Sequence, residues 1–178
     1  MASSPAARRI REAFLGLLEE SPNGPITVTQ IAQHAHVNRV TFYRLYETQE
    51  EVLLDILDEF DKEVEVIVAD FESLYAGGLG GIRGLLECHQ HNMPTLRTIL
   101  KSSFSPVLER RIEAGTRDPL VQSRKLLGPD SPFSNDLFIS FYCAGIARVM
   151  CDWIRGGCAE SVDEILRFLL QASSFYEG

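Results

Sequence analysis

The chain has 178 residues, 45% hydrophobic and 24% charged, with a formal net charge of −8. A chain of this length buries about 70% of its unfolded surface, so it needs neither disulfide nor metal to hold a core. The composition excludes disordered, collagenous and disulfide-framework proteins. The opening MASSPAARRIREAF turns charged at Arg8, unlike a secretory signal. No uninterrupted apolar run reaches the roughly 18 residues that cross a bilayer, so a cytoplasmic protein without a membrane partner is expected. Cys88, Cys143, Cys151 and Cys158 form no CxxC pair, and reduced thiols are expected.

Resolved along the chain, the charge is uneven. Residues 1–46 hold five arginines against three glutamates, a net of +2. Residues 47–72 hold eleven acids against Lys62 alone, a net of −10, and residues 73–178 balance. Positive charge therefore gathers at the N-terminus, where a phosphate backbone can be met.

The elements read as helices throughout, with no alternating strand. The first runs from about Ala6 to Glu20, with Ile10, Phe14, Leu17 and Leu18 on one face. Ser21-Pro22-Asn23-Gly24-Pro25 ends it. Thr27-Val28-Thr29-Gln30 is a capping box that opens a second helix, reaching about His34. Ala35-His36-Val37 is a turn, and Asn38 caps a third helix over Arg39–Leu45. Thr48-Gln49-Glu50-Glu51 is another capping box, starting a long fourth helix. Its apolar positions run from Val52 to Phe71 at helical spacing, and Gly77–Gly81 breaks it.

Shorter helices are expected over Ile82–His91 and Pro94–Lys101. Ser105-Pro106 caps and starts one that reaches toward Leu127, where Gly128-Pro129 closes it. The last two cover roughly Ser134–Arg155 and Val162–Phe175, separated by Gly156-Gly157. Ser161-Val162-Asp163-Glu164 is a third capping box. The fold class is all-α. A three-helix head of 1–46 precedes a helical ligand-binding and dimerisation body of 47–178.

Two short helices across a tight turn, braced by a first helix, form a helix-turn-helix. Ile31, Ala32, Ala35, Val37, Phe42 and Tyr46 are placed to pack on Phe14, Leu17 and Leu18. Arg39, Val40, Thr41, Tyr43 and Arg44 are left facing outward, on a helix small enough for the major groove.

The run ITVTQIAQHAHVNRVTFYRLYETQEEVL resembles the DNA-binding domain of the TetR family of transcription regulators, closely over about residues 8–54. Thr27, Ile31, Ala32, Ala35, Val37, Thr41, Phe42, Tyr43, Glu50 and Leu53 match the family pattern. FYCAGIARVMCDWIRGGCAESVDEI resembles the C-terminal bodies of some such regulators, more weakly. The resemblance implies that Thr27, Asn38, Thr41 and Tyr43 meet phosphates. Arg39, Val40 and Arg44 are the candidates for base edges, an arginine on guanine and a valine on a thymine methyl. It also implies a dimeric repressor on a palindromic operator. A small-molecule effector in the body would shift the fourth helix and change the spacing of the heads.

Four positions depart from the pattern. His36 stands for the glycine of the turn and is expected at positive φ. Leu45 and Gln49 replace groups that touch phosphate, and Glu47 adds a like charge. Weaker DNA binding than is usual for the family follows, with log affinity falling against log salt no more steeply than about −6.

The last two helices carry broad apolar faces. Phe138, Phe141, Gly145, Val149, Trp153, Ile165 and Leu169 are the expected dimer interface, with an intramolecular core as the competing assignment. Phe71, Tyr75, Cys88, His89, His91, Met93, Phe104, Tyr142 and Cys143 are candidates for a partly aromatic effector pocket. Cys88 and His91 share a helix face, but a lone Cys/His pair is more often packed or solvated, so no metal is expected. No cofactor and no catalysis are expected, since the sequence shows no nucleophile–base order, phosphate loop or paired carboxylates. Gln49, Leu45 and the acidic 47–72 stretch leave one alternative, a protein-interaction module whose head has weak or lost DNA affinity.

Overall fold

The computed structural model describes residues 4–68, 80–127 and 131–174. Among these the chain forms nine α-helices: α1 (Pro5–Glu20), α2 (Val28–His34), α3 (Arg39–Leu45), α4 (Gln49–Val68), α5 (Gly80–His91), α6 (Met93–Leu100), α7 (Ser105–Leu127), α8 (Asp136–Arg155) and α9 (Val162–Ser174). A short 3-10 turn, Pro132–Ser134, precedes α8. The expected all-α class is the observed one. Gly80 and Gly81 lie inside α5 rather than in a break. Gly77, Gly78, Gly128, Pro129 and Phe175 lie outside the described residues.

Helix ends follow from side chains that satisfy the free N–H groups of a first turn. Ser4 caps α1 through its hydroxyl on Ala7 N, with Pro5 at the first position, slightly earlier than expected. The Ser161–Glu164 box is reciprocal, with Ser161 N donating to Glu164 at 2.8 Å and Glu164 N to the Ser161 hydroxyl at 3.3 Å. The Thr48 box is half formed. Glu51 N donates to Thr48 Oγ1, but the Glu51 carboxylate accepts from Glu47 N at 2.7 Å. Ser105 is the first residue of α7 rather than its cap, and its hydroxyl donates to Glu109 and accepts from Arg155. At the start of α8 the cap is Asn135, whose Oδ1 accepts from Leu137 N and Phe138 N.

Head and body share one apolar cluster. It runs from Ala7, Ile10 and Phe14 through Ile31 and Phe42 to Leu57, Leu108, Trp153 and Leu169. Helix α1 is central to this packing, touching α2, α3, α4 and α6. Phe14 of α1 meets Phe104, just before α7, edge-on at 5.6 Å. The neighbouring loops are joined where Ser103 N donates to the Pro22 carbonyl at 3.0 Å. In the body, α7 packs along α8, while α5 lies against α4 and α9. Gly84 permits that approach, since a Cβ there would stand 3.2 Å from the Ile67 side chain.

Helix α4 is also tied by charge. Arg11 of α1 reaches Asp55 at 3.2 Å and Glu59 at 2.5 Å, and the Tyr46 hydroxyl donates to Asp55 at 2.6 Å. From the other side, Arg111 of α7 meets Asp58 and Asp61, each at 2.7 Å. Arg11 counts toward the positive charge of the head in sequence, but here it is engaged by two carboxylates of the acidic helix.

Asp136–Arg155 is long and apolar enough to cross a membrane by length and composition, with a mean hydropathy of 1.5. Its scattered polar residues interrupt the apolar run, which is why no continuous span stands out in the sequence. The helix buries Ile139, Cys143, Ala147, Met150, Cys151, Trp153 and Ile154 against the rest of the chain.

Candidate nucleic-acid interface

The α2–turn–α3 unit is built locally and anchored from behind. Thr27 caps α2 by a full capping box: Gln30 N donates to Thr27 Oγ1 at 3.3 Å, and Thr27 N donates to Gln30 Oε1 at 2.8 Å. Asn38 Oδ1 accepts from Thr41 N at 2.7 Å and starts α3. His36 adopts φ 51°, the left-handed conformation expected of the residue standing in place of glycine. Val37 N donates to the Ala32 carbonyl at 3.0 Å and closes the turn. Ile31, Ala32, Ala35, Phe42 and Tyr46 are buried, and Val37 is half-buried against the same core.

That anchoring fixes which side of α3 faces out. Val40 is 78% and Tyr43 50% exposed, and Arg39 and Arg44 are exposed beside them. Thr41 is half-buried, less open than expected. The Arg39 guanidinium lies over the Tyr43 ring, 5.7 Å from its centroid. Among the described ion pairs, carboxylates engage Arg8, Arg11, Arg83, Arg111, Arg148 and Arg155 but neither Arg39 nor Arg44. These two charges remain available to an anionic partner. The Thr27 hydroxyl is less available, since it also donates to Gln30 Oε1 at 2.8 Å.

The nine effector candidates fall into separate places. Cys88 and His89 are buried on α5, facing α4, where Cys88 donates to Glu63 and His89 meets Phe60 edge-on at 5.0 Å. His91 is exposed, and Met93 is half-buried at the start of α6. Phe104 lines an open groove of about 440 Å³ with Pro25, Ile26, Gln49 and Glu50. Tyr142 and Cys143 belong to a small cluster with Phe133 and Ile139. Phe71 and Tyr75 lie outside the described residues. Among the described residues, no three His, Cys, Asp or Glu side chains converge as a metal set. Burial pushes the Cys88 thiol up to about 11, with Glu63 adding to it, so the thiol stays protonated at neutral pH.

The His89 imidazole sets a pH dependence. Its Nδ1 lies 2.7 Å from the Leu85 carbonyl, which makes that nitrogen the donor and leaves Nε2 without a partner among the described residues. Burial pushes its pKa below the ordinary 6.5, against the pull of the Leu85 carbonyl. As pH falls below 6.5 the unfolded chain takes the proton first, so stability is lost toward the lower, folded value. Thermal stability is expected to fall between about pH 7 and pH 5.5, and to fall less in His89→Phe over that interval. Equal losses in both proteins would contradict it.

The expected dimer residues split in two. Trp153, Ile165 and Leu169 are buried within the chain, and the Trp153 indole N–H donates to the Glu160 carbonyl at 2.9 Å. All three pack into the core of their own chain, which favours the competing intramolecular assignment for them. Phe138 meets Phe133 edge-on and stacks with Tyr142, and Val149 is half-buried. Phe141 is 64% exposed, Gly145 is exposed on the same side of α8, and Leu137, 80% exposed, extends the stripe one turn back. Helical periodicity marks two apolar faces on α8 and cannot say which one a neighbouring helix of the same chain covers.

Comparison with known proteins bears on the whole chain. A family model for the TetR-type transcriptional regulator C-terminal region matches residues 79–174, more than half of the sequence. Among solved structures, "Dihydroxyacetone kinase operon activator DhaS" superposes with a TM-score of 0.57 at 19% identity, covering 97% of this chain and 96% of that one. At that identity the likeness shows the fold alone. No curated protein sequence matches. With residues 79–174 matched by the family model and the helix-turn-helix in place before them, this chain belongs to the TetR family of transcriptional regulators.

Proposed function

We propose that this regulator binds double-stranded operator DNA as a homodimer in the cytoplasm, as a repressor without catalysis or cofactor. The division of labour is a DNA-binding head of 1–46 and a regulatory body of 47–178. The observation that carries the reading is the outer side of α3, where Arg39, Val40, Tyr43 and Arg44 are exposed on a helix pinned by buried Phe42. Such a helix fits a groove about 12 Å wide. Arg39 and Val40 would read base edges. Asn38, Thr41, Tyr43 and Arg44 would hold the backbone, with the first-turn N–H groups of α2 serving where the Thr27 hydroxyl is committed.

A two-fold dimer matches a palindromic operator. The stripe of Leu137, Phe141 and Gly145 on α8, with exposed Phe168 on α9, supplies two helices per subunit for such an interface. Repression follows from occupancy, since a dimer seated on a promoter excludes other proteins from it. A small-molecule effector would act where α4 meets α5, around Phe60, Glu63, Cys88 and His89. Helix α4 carries any movement there to the head through Arg11, and an effector releases DNA only if it prefers one head spacing.

The test is anisotropy of labelled duplex from the gene's own upstream region, titrated at several salt concentrations. Saturable binding is expected, with a log–log salt slope shallower than about −6. No binding at low salt would favour the alternative, a body that docks a protein while the head stays idle.

A further inference from the structure

We propose that Tyr43 is a positioning residue, holding the Arg39 guanidinium so that base preference at one operator position depends on the Tyr43 ring. The inference rests on the DNA-reading face proposed above. Arg39 and Tyr43 stand four residues apart on the exposed side of α3, which puts one side chain over the other. The Arg39 Cζ lies 5.7 Å from the Tyr43 ring centroid, and Nη2 lies 3.4 Å from the tyrosine oxygen. The ring is braced in turn. It meets the wholly buried Phe42 edge-on at 5.7 Å and 87°, so the orientation of Arg39 traces back to the core.

Stacking leaves the guanidinium edge open. Of its five N–H groups one points to the Tyr43 oxygen, and the others suffice for the paired bonds that guanine O6 and N7 accept. The Tyr43 hydroxyl keeps its own hydrogen for a phosphate, so one tyrosine links base reading to backbone docking. Arg44 has no ring partner among the described residues. It is the unstacked charge, suited to a phosphate, and Arg39 is the preset reader.

The experiment uses the full chain, the palindromic duplex it enriches from a random pool, and duplexes with both half-sites changed at each position in turn. Tyr43→Phe keeps the ring and should hold guanine preference at the Arg39 position within about twofold of wild type. Tyr43→Ala should lower that preference roughly threefold per half-site, about tenfold over the palindrome, with the salt slope unchanged because no charge is removed. In the DNA-free protein, the ring-current shift of the Arg39 side-chain protons should survive in Tyr43→Phe and vanish in Tyr43→Ala. Equal loss of affinity for all bases in Tyr43→Ala, with preference intact, would leave Tyr43 a backbone contact alone, with no part in positioning Arg39, and overturn the proposal. So would Arg39 proton shifts indifferent to the ring, even if DNA binding holds. If wild type enriches no duplex, the DNA reading itself falls and this inference with it.

Discussion

Replacing Leu137 and Phe141 together by glutamate is expected to turn the regulator into a monomer and to weaken operator binding by at least about two orders of magnitude. Both side chains are large, apolar and mostly exposed on the same side of α8. Exposed apolar side chains in a row mark a contact surface. Four carboxylates brought together in a two-fold interface would repel one another while removing the apolar burial that drives association. The cost on DNA follows from linkage. A dimer makes its second half-site contact at an effective concentration set by the body, which is worth about 10²–10⁴ in affinity. A monomer forfeits that factor. Sedimentation and duplex titration on the same preparation check both halves. A double variant that stays dimeric would move the interface elsewhere.

Trp153→Ala should act differently, lowering folding stability by about 3–5 kcal/mol without changing subunit affinity in the protein that remains folded. Trp153 is 3% exposed inside the chain, and its indole N–H holds the Glu160 carbonyl just before α9. The substitution therefore opens a cavity and removes the hydrogen bond that holds the start of α9 to α8. Denaturant unfolding measures the loss. Dissociation into folded monomers with unchanged stability would restore Trp153 to a subunit interface.

These two variants mark where the sequence is legible and where it is not. The head could be read almost residue by residue, because its structure is local. Thr27 with Gln30, Asn38 with Thr41 and His36 at positive φ each act within a few positions of themselves. The outward side of α3 followed from the buried spacing of Ile31, Ala35 and Phe42. The body is governed by contacts between distant segments, which periodicity does not encode. Arg11 meets Asp55 and Glu59, 44 and 48 positions away. Arg155 reaches Glu109 and Ser105 across the α7–α8 contact. No spacing rule distinguishes the α8 face covered by α7 from the one left open. Nor could composition reveal that Phe104, Cys88 and Cys143, alike as pocket candidates, stand in three separate places.

The acidic net charge, which sits at odds with a DNA-binding role, is offset in part by pairing and lies away from α3 in sequence. Two arginines, from α1 and α7, engage four of the eleven acids of 47–72, with Asp55 and Glu59 on Arg11, and Asp58 and Asp61 on Arg111. What DNA would meet is local, and at α3 it is Arg39 and Arg44 without acidic partners among the described ion pairs. Few such charges are present, so affinity must come from shape, hydrogen bonds and two-fold symmetry as much as from counterion release.

Selection from a random duplex pool by the wild-type protein and by the Arg39→Ala/Tyr43→Ala double variant tests the central claim most directly. The outer side of α3 entering the major groove predicts that wild type enriches a two-fold symmetric sequence and that the double variant loses it. The same palindrome enriched by both proteins, or none enriched by wild type, would contradict the account.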